Sequence, residues 1–429
     1  MNWLKKIDFT LKNRYNNSGD MMKKNKLIMI SVMVIMIIIV LLVYLKKMPV
    51  LMIDLTNQKA TTAIKYAKTN QLKLTVTEAY DNHVKLGYII KQNINQRQVI
   101  KKDNHLSIIV SLGPINTQAY HDNKINELGL VPIMMYHGIY NLAKEETKYL
   151  GGNVDASGYH RTSEAFRQDL EFYYANNYRV IRLKDYIAGK IDVPFKSSPI
   201  ILTFDDGLAN NIFITGLNQK GDLIIDPNSA VGIMESFKKK YPDFKVTATF
   251  FLNRELFHQS KYNEQIIKWL INHNYDIGNH GYDHAHLDEI SAEAVNLQIG
   301  KMYNLLNTII PNQYLNIVSL PFGSPYKQSH PNFKNIINGS YDNLTYQTES
   351  TLRVGWQSNY SPFSASFDKN FIKRIRAYDN NGTEFDIHMN FKNLETNRYI
   401  SDGDVKKIVI PESNLSFLKK ENTLEVITY

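Results

Sequence analysis

Four short clusters carry residues whose types and spacing suit hydrolytic chemistry. In the first, Ile200-Ile201-Leu202-Thr203-Phe204-Asp205-Asp206-Gly207, an apolar run ends in two adjacent carboxylates. Consecutive residues project differently, so Asp206 can hold a metal ion while Asp205, free of the ion, takes a proton from water. Asp-Asp-Gly by itself is also an ordinary turn. The second cluster, Tyr275-Asp276-Ile277-Gly278-Asn279-His280-Gly281-Tyr282-Asp283-His284-Ala285-His286, holds three of the chain's 12 histidines within seven positions. His280 and His284 are separated by three residues, which brings two imidazoles to one side of a helix or compact turn. With Asp206 they make the two-histidine, one-carboxylate set of a catalytic divalent ion, and His286 is a competing ligand.

The third cluster, Val131-Pro132-Ile133-Met134-Met135-Tyr136-His137-Gly138, is another apolar run, ending in an imidazole. A histidine facing the metal could serve as general acid toward a departing amine, and a histidine that only packs or faces solvent is equally compatible with the sequence. The fourth, Ser319-Leu320-Pro321-Phe322-Gly323-Ser324-Pro325-Tyr326, reads as a strand entering a rigid Pro/Gly loop. Such a loop can shape a substrate pocket or present an N–H to an oxyanion.

Elements must bring these clusters together, and the pattern supplies them. Short apolar strands are expected at Val131–Tyr136, Tyr178–Ile181, Pro199–Phe204, Thr247–Leu252 and Ile317–Pro321, with amphipathic helices at Ser163–Asn176, Glu264–His273 and Ala292–Ile309. Strands alternating with helices imply α/β architecture with a parallel sheet or barrel, in which functional groups gather at the carboxyl ends of strands. Before this region, Asn57–Thr69 reads as a helix, followed by strands at Leu72–Ala79, Gly87–Gln92 and Leu106–Val110. Ser111-Leu112-Gly113-Pro114 then marks a boundary.

Composition narrows the chemistry. The chain has 429 residues and no cysteine, which excludes disulfides, thiolate zinc sites, iron–sulfur clusters and a cysteine nucleophile. Its net charge is +9, yet residues 1–47 hold nine basic residues against two acidic ones, so the remainder is nearly neutral and nucleic-acid binding is not expected. Between Lys26 and Lys46, Leu27–Leu45 is an uncharged run of 19 residues, about 28 Å as a helix, with no small-residue cleavage site after it. An uncleaved anchor is expected, with the basic arm inside and the body outside the cell membrane.

Two resemblances follow from these residues. Asp54-Leu55, the helix, Gly87-Tyr88-Ile89-Ile90-Lys91-Gln92 and Ile108-Ile109-Val110-Ser111-Leu112-Gly113 together resemble a PASTA module, found in wall-associated proteins; a plain spacer is the alternative. The four clusters together resemble the polysaccharide deacetylases of carbohydrate esterase family four, over roughly residues 127 to 380. Thr203-Phe204-Asp205-Asp206-Gly207 is similar to that family's first motif, which implies Asp205 as base and Asp206 as metal ligand. His280 and His284 match its ligand pair, and Thr249-Phe250-Phe251-Leu252 the strand between. Leu320-Pro321-Phe322-Gly323 resembles the third motif, except that Ser319 stands where the family has arginine, and Gly281 replaces the usual Ser or Thr. Arg374 or Arg376 is a candidate spatial substitute. The final motif, a strand ending in histidine, is better matched by Met135-Tyr136-His137 than by His388, as in members that look circularly permuted; His137 is therefore the expected acid and His388 its rival.

The resemblance implies a distorted, incomplete (β/α) barrel. It also implies a divalent ion, most expectedly Zn2+, and hydrolysis of N-acetyl groups on a N-acetylglucosamine glycan. The PASTA-like module favours peptidoglycan over an exopolysaccharide. The substrate groove is expected to use Pro321, Phe322, Gly323, Tyr326 and Trp356. The expected organisation is a basic arm at 1–26, an anchor at 27–45, a PASTA-like module at 48–114, a linker at 115–126 and the deacetylase domain at 127–429. The rival reading is a glycan-binding protein with a degenerate catalytic domain, motivated by Ser319.

Overall fold

The structure, a computed structural model, describes residues 49–429 and, before them, only Lys26, Met29, Ile30, Met33, Val34 and Met36, all helical. The basic arm and most of the expected anchor therefore lie outside the described residues. Among the described residues no helix is long and apolar enough to cross a membrane. Two compact units divide the chain. The described part of Met1–Asp54, with Ile64–Lys73 and Asn93–Leu106, forms one; Leu55–Ala63, Leu74–Gln92 and Ser107–Tyr429 form the other.

In the first unit Val50–Leu51 pairs antiparallel with Val99–Ile100. Helix α1 spans Ala60–Thr69 and starts later than the periodicity suggests, because Asn57 sits in the left-handed region at φ 57°. Strands β1 (Lys73–Ala79), β2 (Ile89–Gln92) and β3 (His105–Ser111) form a sheet of order β1-β3-β2. The stretch expected as a polar linker contains a short helix, α2 (Thr117–Asp122), capped by the Asn116 side chain. Its Tyr120 is fully buried, an anchor that the surrounding polar residues conceal in the sequence.

Residues 133–376 build a curled parallel sheet. Its strands are β4 (Ile133–Tyr136), β5 (Tyr178–Val180), β6 (Ser198–Phe204), β7 (Thr249–Leu252), β8 (Asp276–Asn279), β9 (Ile317–Ser319), β10 (Ser350–Leu352) and β11 (Ile375–Arg376). The order is β10-β9-β8-β7-β6-β4-β11, with β5 also on β6, and the pairings are parallel. The two ends approach through one parallel bridge, Leu352 to Ile372, so the barrel is curled but incomplete. The first strand of the region, β4, lies between β6 and the last strand, β11.

Alternation along the strands divides the core. Ile133, Ile201, Phe251, Ile317 and Leu352 share one buried cluster, while Met134, Leu202, Phe250 and Ile277 belong to another that includes the helices. Both faces are covered, as a parallel sheet requires. The helices are α3 (Ser163–Ala175), α4 (Ala230–Lys240), α5 (Asn263–Asn272), α6 (Ala292–Ile309) and α7 (Ile387–Leu394). The cap of α3 is Thr162, whose hydroxyl accepts from Ala165 N at 3.2 Å, one residue before the Ser163 that starts the amphipathic pattern. Beyond α7, β12 (Lys407–Ile410) and β13 (Glu425–Thr428) pair in parallel. Glu127 is buried beside this pair, with Oε2 accepting from Val409 N at 2.9 Å and Oε1 from Tyr399 Oη at 2.8 Å.

Candidate active site

Register sets the site. Phe204 pairs with Tyr136, so Asp205 and His137 leave adjacent strands at the same level. Asn279 pairs with Val318, so His280 leaves β8 level with Ser319. Asp206 and Gly207 both adopt left-handed backbone, at φ 72° and 61°. For aspartate this conformation costs about 1 kcal/mol, which the surrounding structure must supply.

Asp206, His280 and His284 converge. Asp206 Oδ1 lies 3.2 Å from His280 Nε2 and 3.3 Å from His284 Nε2, and the three ligand atoms lie within 4.8 Å of one another. The Nδ1 of His280 is 2.8 Å from Ser319 O, an oxygen that can only accept, so this nitrogen carries the proton. In a neutral His280 the Nε2 is then a bare lone pair facing a carboxylate oxygen. Asp206 Oδ1 is itself buried without a hydrogen-bond partner. Lone pairs held this close and away from water need a proton or a cation among them, and the donor set fits a divalent ion.

The electrostatics agree. Burial alone would raise the Asp206 carboxyl, but His280 holds it well below the usual carboxylate range. His284 is lowered to about 4 by burial and by His280, so it presents a neutral ring. Against its burial, His280 is raised by Asp205 and Asp206, the response of an imidazole among anions. His286 falls outside this trio. Its ring stacks on Phe322 at 3.8 Å, and its metal-capable neighbours are Asp288 and Glu289.

Asp205 is clamped rather than free to ligate. Arg374 Nη1 donates to its Oδ1 at 2.8 Å and Nη2 to its Oδ2 at 2.7 Å, while Ser319 Oγ donates to Oδ2 at 3.0 Å. The guanidinium is fully buried, and its Nε donates to Arg353 O at 2.7 Å. Burial would raise Asp205, but Arg374 and His280 hold it at about 2. Arg374 thus stands where the sequence left a gap at Ser319, and serine leaves room for the guanidinium while bridging it to the carboxylate. Arg376 is not the substitute: its guanidinium lies over the Tyr159 and Tyr378 rings. Gly281 has its own reason, since it sits at φ 71° and a Cβ there would come within 3.3 Å of Pro321 Cγ.

His137 is partly buried, its ring edge-on to Tyr159 at 4.9 Å, and the charges of Asp205 and Asp206 reach it. Burial outweighs them and lowers the ring to about 4. Its Nδ1 is buried without a partner. His388 is elsewhere, exposed near the start of α7 and 3.9 Å from Asp379. Pro321 and Gly323 are buried in the loop after β9, whereas Phe322, at φ 57°, is 44% exposed with its ring 4.4 Å from that of His284. Tyr326 is exposed. Trp356 is also exposed, under the Arg353 guanidinium at 5.4 Å, on a loop whose Gln357 N donates to Arg374 O at 3.0 Å.

Residues 192–336 match the family model for polysaccharide deacetylase, and residues 50–112 match that for the PASTA domain. His137 and Arg374 lie outside the first match. Similar solved structures include the Streptococcus pyogenes deacetylase PplD in complex with acetate, 16% identical over 59% of this chain and 94% of that one, with a TM-score of 0.42. The putative polysaccharide deacetylase BA0330 from Bacillus anthracis is 17% identical over 66% and 71%, with a TM-score of 0.41. The peptidoglycan deacetylase PdaC from Bacillus subtilis is 25% identical over 32% and 55%, with a TM-score of 0.23. No curated protein matches the chain.

Proposed function

We propose that this chain is a membrane-anchored, metal-dependent deacetylase of the cell surface, which hydrolyses N-acetyl groups of a N-acetylglucosamine glycan, with peptidoglycan as its substrate. The observation that carries the reading is the pairing of a bare acceptor cluster, Asp206, His280 and His284, with a neighbouring carboxylate that Arg374 fixes away from it. The matched deacetylase domain gives the reaction class, and the matched PASTA domain favours a wall glycan. The uncharged run Leu27–Leu45 between lysines supports an anchor with the body outside the cell.

Asp206, His280 and His284 would hold the ion, with Zn2+ the best match to two imidazoles and a carboxylate. Such an ion, when bound, supplies Lewis acidity that lowers the pKa of water and polarises the acetyl carbonyl. Asp205 is the base. Its low pKa keeps it ionised throughout the physiological range, and Oδ1, which among the described residues accepts from Arg374 Nη1 alone, has a lone pair left for a proton from the attacking water. His137 is the acid. Burial lowers its ring to about 4, so it is neutral at rest; it takes a proton from solvent as negative charge builds on the intermediate and passes it to the departing amine, while the proton of the attacking water stays on Asp205. Phe322 and Trp356 offer exposed aromatic faces to sugar rings. The buried Arg374–Asp205 clamp supports a working site over the degenerate domain that Ser319 suggests in the sequence.

Residues 48–429, assayed with defined metals against peptidoglycan and poly-N-acetylglucosamine, should release acetate faster from peptidoglycan. A preference for poly-N-acetylglucosamine would move the substrate to an exopolysaccharide.

A further inference from the structure

A cavity of about 440 Å3 opens where α3 and α7 begin. The chain passes from β4 through residues 137–162 into α3, and from β11 through residues 377–386 into α7. Both helix starts therefore lie at the carboxyl end of the barrel, the end that carries Asp205 and Asp206. β11 is separated from β6 by β4 alone, roughly 10 Å at two strand spacings. The cavity belongs to the same rim as the site, displaced sideways from it.

Its floor is a closed network. Arg161 donates to Asp169 Oδ1 at 2.7 Å and to Asp379 Oδ2 at 3.0 Å, and Tyr136 Oη donates to Asp169 Oδ2 at 3.0 Å. These charges are already paired, so the floor is a polar surface of fixed shape. Around it stand Lys144, Glu164, Gln168 and His388, Gln168 Nε2 donating to Glu164 Oε1 at 3.2 Å across the exposed surface of α3, with the half-buried ring of Phe172 among them. A second cavity of about 560 Å3 runs along α3, and Glu164 and Gln168 wall both. Together they make a trough across the first turns of α3, and each has the volume of a small-ligand site.

The lining chooses the chemistry. A polyanion would meet the carboxylates of Glu164, Asp169 and Asp379. A metal ion would find both Asp169 oxygens and Asp379 Oδ2 already accepting hydrogen bonds. A neutral chain of hydroxyl and amide groups with flat ring faces matches mixed donors and acceptors around an aromatic ring. We infer that this trough binds sugar units of the glycan chain at a distance from the unit that loses its acetyl group. The inference rests on the deacetylase reading and adds that the enzyme reads chain length.

Gln168→Ala removes hydrogen-bonding capacity and Gln168→Trp blocks the trough; both changes are at an exposed helix position, and thermal melting checks that they fold. In the full chain with metal, KM for a long N-acetylglucosamine polymer should rise about fivefold to tenfold, most for Gln168→Trp, with kcat unchanged. Kinetics on a disaccharide of N-acetylglucosamine should not move. An unchanged KM for the polymer in Gln168→Trp overturns the inference, as does an equal rise on the disaccharide. Calorimetric binding of the same polymer to the metal-free full chain separates this from the catalytic reading. Weaker binding to Gln168→Trp supports the trough even if no glycan is turned over, and equal binding refutes it.

Discussion

Replacing Arg374 by glutamine tests the clamp on Asp205. The guanidinium and carboxylate are 0% and 1% exposed in their side chains, so water cannot replace the lost partner. Asp205 falls from 3.8 to about 2, a shift of nearly two units and so ~2.5 kcal/mol of stability at about 1.4 kcal/mol per unit. Because the folded pKa is depressed, this contribution is complete above the unfolded value and is lost as pH falls from about 4 toward 2. Arg374→Gln leaves His280, His137 and Ser319 Oγ alone against burial, so the Asp205 carboxyl rises and the stabilisation it gave above its ordinary range is lost. An unpaired buried charge costs about 3–5 kcal/mol, so urea unfolding at pH 7 should show a loss of that size, smaller at pH 4. Asp205→Asn with Arg374→Gln should recover part of it, with a coupling of about 2 kcal/mol. In activity, the acid limb of kcat/KM should move upward by a unit or more. A cost below about 1 kcal/mol at pH 7, strict additivity of the two changes, or an unmoved acid limb would refute the reasoning.

Other outcomes follow from the same structure. Asp206→Ala and His280→Ala should each abolish stoichiometric divalent metal, measured as metal per chain after dialysis, while Asp205→Asn retains it; equal retention in all three would remove the ligand assignment. His388→Ala should leave acetate release within about twofold of the parent, whereas His137→Ala should lower kcat by about 10²-fold or more; the opposite ranking would transfer the acid role to His388. A third outcome concerns the buried pair Glu127 and Asp402. Burial raises both, Asp402 to about 6, so the fold keeps a proton that the unfolded chain releases and stability falls as pH rises from about 4 through 6. Asp402→Asn should therefore raise stability at pH 7.5 by about 1–3 kcal/mol and flatten melting temperature between pH 5 and 7.5; an unchanged slope would place the proton elsewhere.

The metal-capable trio and its carboxylate neighbour were legible because each lies at the end of an apolar strand or in a dense histidine cluster, where residue type and spacing speak directly. Helix α6 was legible in full, since Ala292–Ile309 keeps one apolar stripe. Arg374 was not legible in its role. It lies just before a two-residue strand with no apolar run of its own, 169 residues from its partner, and only closure of the sheet brings the two together. The proton position on His280 was likewise hidden, because a backbone carbonyl, Ser319 O, fixes it. Strand β10 escaped notice because Ser350-Thr351-Leu352 is polar in composition yet fully buried. Nothing in the sequence around Glu127 and Asp402 signals burial, and only the fold around β12 and β13 encloses them.

The most direct test of the central claim is acetate release from purified peptidoglycan by residues 48–429, measured with Zn2+, with chelator, and in Asp205→Asn. The account predicts acetate with metal and a loss of at least 10²-fold in the other two conditions. Full acetate release in chelator and in Asp205→Asn would contradict it.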